Sequence, residues 1–133
     1  MSTNTKRTIL AVDDENDILL ILKTSLKDDF IVETASSGGE ALAKIDAKVP
    51  DLVILDMMMP EMDGIAVLEE IRRNSASAAV PVIFLTGVSD KKKIKEALNK
   101  GTQYYIIKPF NYVDLHSKVT LALREADELK HSR

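Results

Sequence analysis

Five short apolar runs, each separated from the next by a helix-like stretch, constrain the fold of this chain more than any other feature. They are Arg7-Thr8-Ile9-Leu10-Ala11-Val12, Phe30-Ile31-Val32-Glu33-Thr34-Ala35, Leu52-Val53-Ile54-Leu55, Pro81-Val82-Ile83-Phe84-Leu85-Thr86 and Tyr104-Tyr105-Ile106-Ile107. The third has no polar alternate, the pattern of a strand buried on both faces. Strict alternation of strand and helix predicts an α/β domain, a doubly wound (βα)5 parallel sheet with helices on both sides. Right-handed crossovers leave few strand orders, and 2-1-3-4-5 is the favoured one. It sets the first and third strands side by side at the switch point, where open parallel sheets bind ligands beyond the strand carboxyl ends.

Periodicity and punctuation locate the helices. Ile18, Leu19, Leu20, Ile21, Leu22 and Leu26 predict a heavily buried first helix ending near Lys27-Asp28, with Asp14 or Asn16 as its cap. Ser36-Ser37-Gly38-Gly39 breaks the pattern after the second strand. Ser37 with Glu40 then resembles a capping box for a helix carrying Ala41, Leu42 and Ile45, and Pro50 ends that region. Ile65, Leu68 and Ile71 mark the third helix, followed by a Ser/Ala stretch from Asn74 to Ala79. The fourth carries Ile94, Ala97 and Leu98, with Gly101 placed as the left-handed residue beyond its end. The last keeps 3/4 spacing through Tyr112, Leu115, Val119, Ala122, Ala126 and Leu129.

A single domain over residues 1–133 accounts for this pattern, with a core at 6–123 and residues 124–133 extending the last helix or forming a tail. The chain ends with no output domain in view. Cysteine is absent, which removes disulfides and thiolate metal sites. No apolar run approaches the roughly 20 residues of a membrane span, and no signal-peptide pattern opens the chain. The expectation is a soluble, cytoplasmic protein with no membrane partner. A net charge of −3 argues against direct nucleic-acid binding. The local exception is Lys91-Lys92-Lys93 with Lys95 and Lys100, read either as a solvated helix face or as an edge that meets an acidic partner.

Two of the strands end in carboxylates, Asp13-Asp14 after the first and Asp56 after the third. Each Asp alone reads as a helix cap or turn former. Brought together they repel one another unless something positive sits among them. A hard divalent cation answers that need, and Mg2+ is commonly held by one or two carboxylates, waters and a substrate phosphate. Lys108, after the fifth strand, is a compact charge suited to phosphate or carboxylate, and Pro109 fixes the chain beside it. Thr86 ends the fourth strand with a hydroxyl that can donate to a phosphoryl oxygen or cap the following turn.

These residues, in this order, resemble a response regulator receiver domain, the phosphoacceptor module of two-component signalling. The resemblance is carried by Asp13-Asp14, Asp56, Met59-Pro60 with Met62-Asp63-Gly64, Thr86 and Lys108-Pro109-Phe110, with Gly39-Glu40-Ala41-Leu42 a further common string. It runs from Lys6 to Leu123 and implies a flavodoxin-like, chemotaxis-regulator-like fold. It also implies that Asp56 accepts a phosphoryl group from the phosphohistidine of a sensor histidine kinase or phosphotransfer protein. Asp13, Asp56 and the backbone carbonyl of Met58 would bind Mg2+, with Asp14 acting through a water. Lys108 would pair with Asp56 and then with the phosphoryl group, and Thr86 would bond a phosphoryl oxygen. Tyr105 matches the family's switch aromatic, although as one of two adjacent strand tyrosines it also reads as ordinary packing. Thr86 and Tyr105 would bias the face made by the fourth helix, fifth strand and fifth helix, and with it contacts to a downstream protein, an output domain or a second copy. The module would assist only its own phosphorylation and dephosphorylation, and would not be an enzyme.

Met58 and Val88, two residues beyond Asp56 and Thr86, replace polar side chains that can hold an attacking water. The expected result is slow self-dephosphorylation; an acyl-phosphate half-life of seconds in purified protein with Mg2+ would contradict it. Gly87 is small and leaves the acceptor accessible, while His116 reads as a surface helix residue. A Mg2+-dependent phosphatase with an Asp nucleophile is the competing enzyme class, but its usual second Asp two residues on is Met58 here. A flavin-nucleotide protein would want Ser, Thr and Gly where Asp13-Asp14-Glu15 stands. A degenerate receiver acting only as an interaction module would lack one of the acidic or basic positions, all of which are filled.

Overall fold

The computed structural model describes residues 6–87, 91–100 and 104–131. Its strands are β1 (Arg7–Val12), β2 (Phe30–Ala35), β3 (Leu52–Asp56), β4 (Val82–Thr86) and β5 (Tyr104–Ile107), each followed by a helix. The helices are α1 (Asn16–Leu26), α2 (Gly38–Ala47), α3 (Gly64–Arg73), α4 (Lys91–Asn99) and α5 (Tyr112–His131). The sheet is parallel with the expected order β2-β1-β3-β4-β5. Val88 and Gly101 lie outside the described residues.

The continuous apolar runs follow from burial on both faces. Along β3, Leu52 and Ile54 join a core with Leu19, Leu22 and Leu26 of α1 and Leu115, Val119 and Ala122 of α5. Val53 and Leu55 face the other way, among Ala41 and Ile45 of α2, Val67, Leu68 and Ile71 of α3 and Ala97 of α4. Every residue of β3 and β4 is therefore buried, whereas the edge strands expose alternate side chains, Ile31 on β2 and Tyr105 and Ile107 on β5.

Two helix starts differ from the sequence-based reading. Neither Asp14 nor Asn16 caps α1: Glu15 takes the cap position without a side-chain cap bond, and Asn16 is already helical. The carboxylate that receives the Glu15 N–H is that of Asp13, at 2.9 Å. At α2, Ser37 accepts from the Glu40 N–H as expected, but Glu40 reaches back to the N–H of Ser36 rather than of Ser37. Gly38 and Gly39, read as a break, form the first turn of α2. A Cβ on Gly38 would lie 2.8 Å from Val67 Cγ2, so the α2–α3 packing requires its absence.

The last helix continues through His131. Arg7, at the start of β1, pairs with Asp127 and ties this final stretch to the sheet. His116 sits on the surface of α5 with Nε2 3.0 Å from Asp29 Oδ2. Two of the clustered lysines are engaged by α3: Lys93 Nζ lies 3.2 Å from Asp63 Oδ2 and Lys100 Nζ 2.9 Å from Glu69 Oε2. No helix among the described residues is long and apolar enough to cross a membrane.

Candidate functional site

Asp13 follows β1 directly and Asp56 closes β3, and since β1 and β3 are neighbours with Val12 opposite Leu55, their carboxylates meet above the sheet. Oxygens of Asp13, Asp14 and Asp56 all lie within 4.8 Å of one another. Asp13 is 0 % and Asp56 4 % exposed, while Asp14 faces solvent at the rim. Two buried carboxylates at such range are electrostatically costly, and Lys108 is what makes the arrangement tolerable. Its Nζ donates to Asp13 Oδ2 and to Asp56 Oδ1, each at 3.0 Å, and lies 3.9 Å from Glu15 Oε1. The sequence had not marked Glu15 as a neighbour of Lys108.

β5 delivers Lys108 to this point. Its backbone N–H donates to the Thr86 carbonyl at 2.8 Å, extending the β4–β5 ladder by one bond, and a cis Lys108–Pro109 peptide follows. Thr86 is 1 % exposed at the end of β4, and the Met57 N–H bonds the Leu85 carbonyl beside it. The Thr86 hydroxyl lies 3.3 Å from the Gly87 carbonyl oxygen and 3.8 Å from Met57 Sδ. Fully buried Met57 thus packs under the site, while Met58 stands in the loop 54 % exposed.

Charge in the cluster is uneven. Burial, then repulsion from Asp13, pushes the Asp56 carboxyl up to about 6; hydrogen bonding and attraction from Lys108 oppose the rise, and Asp14 adds to it. Burial alone would lower the Lys108 ammonium, yet its bonds to Asp13 and Asp56 outweigh that and hold it above its ordinary value. One cation faces the three clustered aspartates and Glu15, so the group is short of positive charge. Hard oxygen donors converging on a charge-deficient point suit a divalent cation such as Mg2+.

The β3–α3 loop is fixed from below. Asp63 caps α3 by accepting the Ala66 N–H at 2.9 Å, and burial there is outweighed by that bond and by Lys93, so its carboxyl is held below the usual range. Gly64 opens α3 with its N–H on the Met57 carbonyl at 3.0 Å. The string Met62-Asp63-Gly64 carried part of the resemblance but did not convey how closely the backbone passes Asp56. The structure thus brings together Asp13, Asp14, Asp56 and Lys108, with Thr86 and Met58 adjoining. Tyr105 stands apart on edge strand β5, 36 % exposed, in register with Phe84 and on the sheet face opposite Tyr104.

Comparison with known proteins agrees with this geometry. Residues 9–120 match the response regulator receiver domain family. The chain is 40 % identical over 129 residues to the probable transcriptional regulator ycf27 of Guillardia theta, covering 96 % of this chain and 50 % of that one. It is 35 % identical over 120 residues to the alkaline phosphatase synthesis transcriptional regulatory protein PhoP of Bacillus subtilis, covering 90 % and 49 %. The chain thus spans about half the length of these curated relatives. Among solved structures, the chemotaxis protein CheY4 of Vibrio cholerae superposes with a TM-score of 0.84 at 32 % identity, over 89 % of this chain and 99 % of that one.

Proposed function

Because the chain belongs to the response regulator receiver domain family, we propose that Asp56 is its phosphoacceptor and that Lys108 and Thr86 assist the transfer. The observation that carries this reading is Lys108 Nζ at 3.0 Å from both Asp56 and Asp13, two buried carboxylates with Asp14 exposed beside them. Phosphoryl transfer depends mostly on positioning and on charge neutralisation at the equatorial oxygens. An Asp56 carboxylate oxygen bonds to phosphorus as the phosphorus–nitrogen bond of a phosphohistidine donor breaks and the imidazole departs. Lys108 orients the carboxylate beforehand and then follows the new negative charge. The Thr86 hydroxyl, one residue beyond the level of Asp56 on the neighbouring strand, donates to a phosphoryl oxygen.

Receiver domains bind Mg2+ at an acidic pocket, and here Asp13, Asp56 and the Met58 carbonyl would hold it, with Asp14 through a water. When bound, the ion supplies the positive charge that the three carboxylates lack and that a phosphoryl group needs. The donor would be a sensor histidine kinase or phosphotransfer protein in the cytoplasm. Product formation adds roughly one to two negative charges at one buried point. Thr86 and Tyr105 would then bias the face made by α4, β5 and α5 toward a downstream protein, an output domain or a second copy. This is signalling rather than turnover of an external substrate.

Intact-mass spectrometry after incubation with acetyl phosphate and Mg2+ tests the proposal. The expected result is a single phosphoryl adduct on the wild type that requires Mg2+ and is lost in Asp56→Asn. An adduct that persists in Asp56→Asn would reject Asp56 as the acceptor.

A further inference from the structure

The loop after β3 contains Met57, Met58, Met59 and Met62, and their exposure differs sharply. Met57 is 0 % and Met59 9 % exposed, Met62 is partly buried in the α2–α3 core, and Met58 is 54 % exposed. Oxidation of thioethers follows exposure, and the chain has no cysteine to react first. Met58 is therefore the described sulfur most open to an oxidant, and it lies two residues from the proposed acceptor.

We propose that Met58 is an oxidation site whose sulfoxide shortens the lifetime of the phosphoryl group on Asp56. The inference rests on the phosphoacceptor reading of Asp56. In the modification, the thioether sulfur attacks one oxygen of a hydroperoxide such as hydrogen peroxide. A sulfur–oxygen bond forms as the oxygen–oxygen bond breaks; sulfur loses two electrons and the peroxide is reduced to water. The side chain changes from a weak acceptor to a polar group whose oxygen accepts hydrogen bonds strongly.

Position gives this change its consequence. Two residues span at most roughly 7 Å of backbone, which puts the surroundings of a phosphorylated Asp56 within range of the long, flexible Met58 side chain. A thioether there cannot hold a water for attack on phosphorus, whereas a sulfoxide oxygen can accept its hydrogen bond and orient it. The water oxygen then bonds to phosphorus as the bond between phosphorus and the Asp56 carboxylate breaks. The products are dihydrogen phosphate, which carries both protons of the water, and a regenerated carboxylate. Buried Met57, with Sδ facing the Thr86 hydroxyl, does not compete for the oxidant.

The test phosphorylates the full chain with acetyl phosphate before and after mild hydrogen peroxide treatment, maps sulfoxides by peptide mass spectrometry and follows decay of the adduct. The expected result is oxidation at Met58 ahead of Met57, Met59 and Met62, and a half-life shortened about two- to tenfold, the rate equivalent of one hydrogen bond gained in the transition state. Methionine sulfoxide reductase should restore the original half-life. In Met58→Leu, peroxide should leave the variant's own half-life unmoved, and Met58→Gln should be short-lived without oxidant. An adduct whose half-life ignores Met58 oxidation, or oxidation falling first on Met57, Met59 or Met62, overturns this inference alone. Absence of any adduct on unoxidised protein overturns the phosphoacceptor reading and this inference with it.

Discussion

Gly64→Ala is expected to lower the unfolding free energy by about 3 kcal/mol, read as a fall in the urea midpoint at unchanged slope. A Cβ at this position would lie 2.4 Å from the backbone oxygen of Asp56, 2.7 Å from Phe84 Cε1 and 2.9 Å from Met57 Cα. Two of those three neighbours are main chain, so no rotamer change relieves the clash. Relief requires α3 to withdraw from the end of β3, which breaks the Gly64 N–H bond to the Met57 carbonyl and moves the peptide that carries Asp56. The same variant should therefore form the acetyl phosphate adduct more slowly. Gly39→Ala is the control. Nothing lies within 4 Å of the added methyl group, and alanine is the better helix former, so its stability should match or exceed the wild type. Equal midpoints for Gly64→Ala and the wild type would refute the claimed close approach.

This contrast between two glycines shows what a sequence conveys and what it withholds. Strand order, the two-sided burial of Leu52–Leu55 and the meeting of Asp13 with Asp56 follow from one-dimensional signals: alternation, run length and crossover handedness. Lys108 and Thr86 were legible for a related reason, since a residue that ends a parallel strand must face the crevice. Gly64 was visible as part of Met62-Asp63-Gly64, yet its constraint is a distance between α3 and β3 that no local pattern encodes. The reach of Lys108 to Glu15 is also a product of packing, joining residues 93 positions apart. The start of α1 went astray because cap preference treats each carboxylate as local. Asp13, held at the strand end by the site, takes the Glu15 N–H itself and leaves Asp14 at the rim and Asn16 inside the helix. Tyr105 carried a role by resemblance, whereas the fold shows only an exposed phenol on an edge strand.

With a chelator present at pH 7.5, Asp56→Asn is expected to be more stable than the wild type by up to about 3 kcal/mol. The carboxyl titrates at about 6 in the folded protein against an ordinary value of 3.8, because burial and Asp13 penalise its charge more than Lys108 rewards it. The folded state thus binds the Asp56 proton more tightly than the unfolded state does. Stability from this group is present below the ordinary value and is lost as pH rises from about 4 through about 6. Other carboxylates titrate in the same window, so the informative quantity is the difference between the two proteins. That difference should be near zero at pH 4 and reach its plateau above pH 7, by urea denaturation at each pH. A wild type as stable as Asp56→Asn at pH 7.5 would show that Lys108 already balances the site. Adding Mg2+ should close most of this gap near neutral pH, since a ligand held by the native state at a hundredfold excess over its Kd contributes roughly 3 kcal/mol. The instability and the proposed function have one origin. Three clustered aspartates beside one lysine leave a deficit of positive charge that a cation relieves, and the same cation favours the ionised Asp56 that attacks phosphorus.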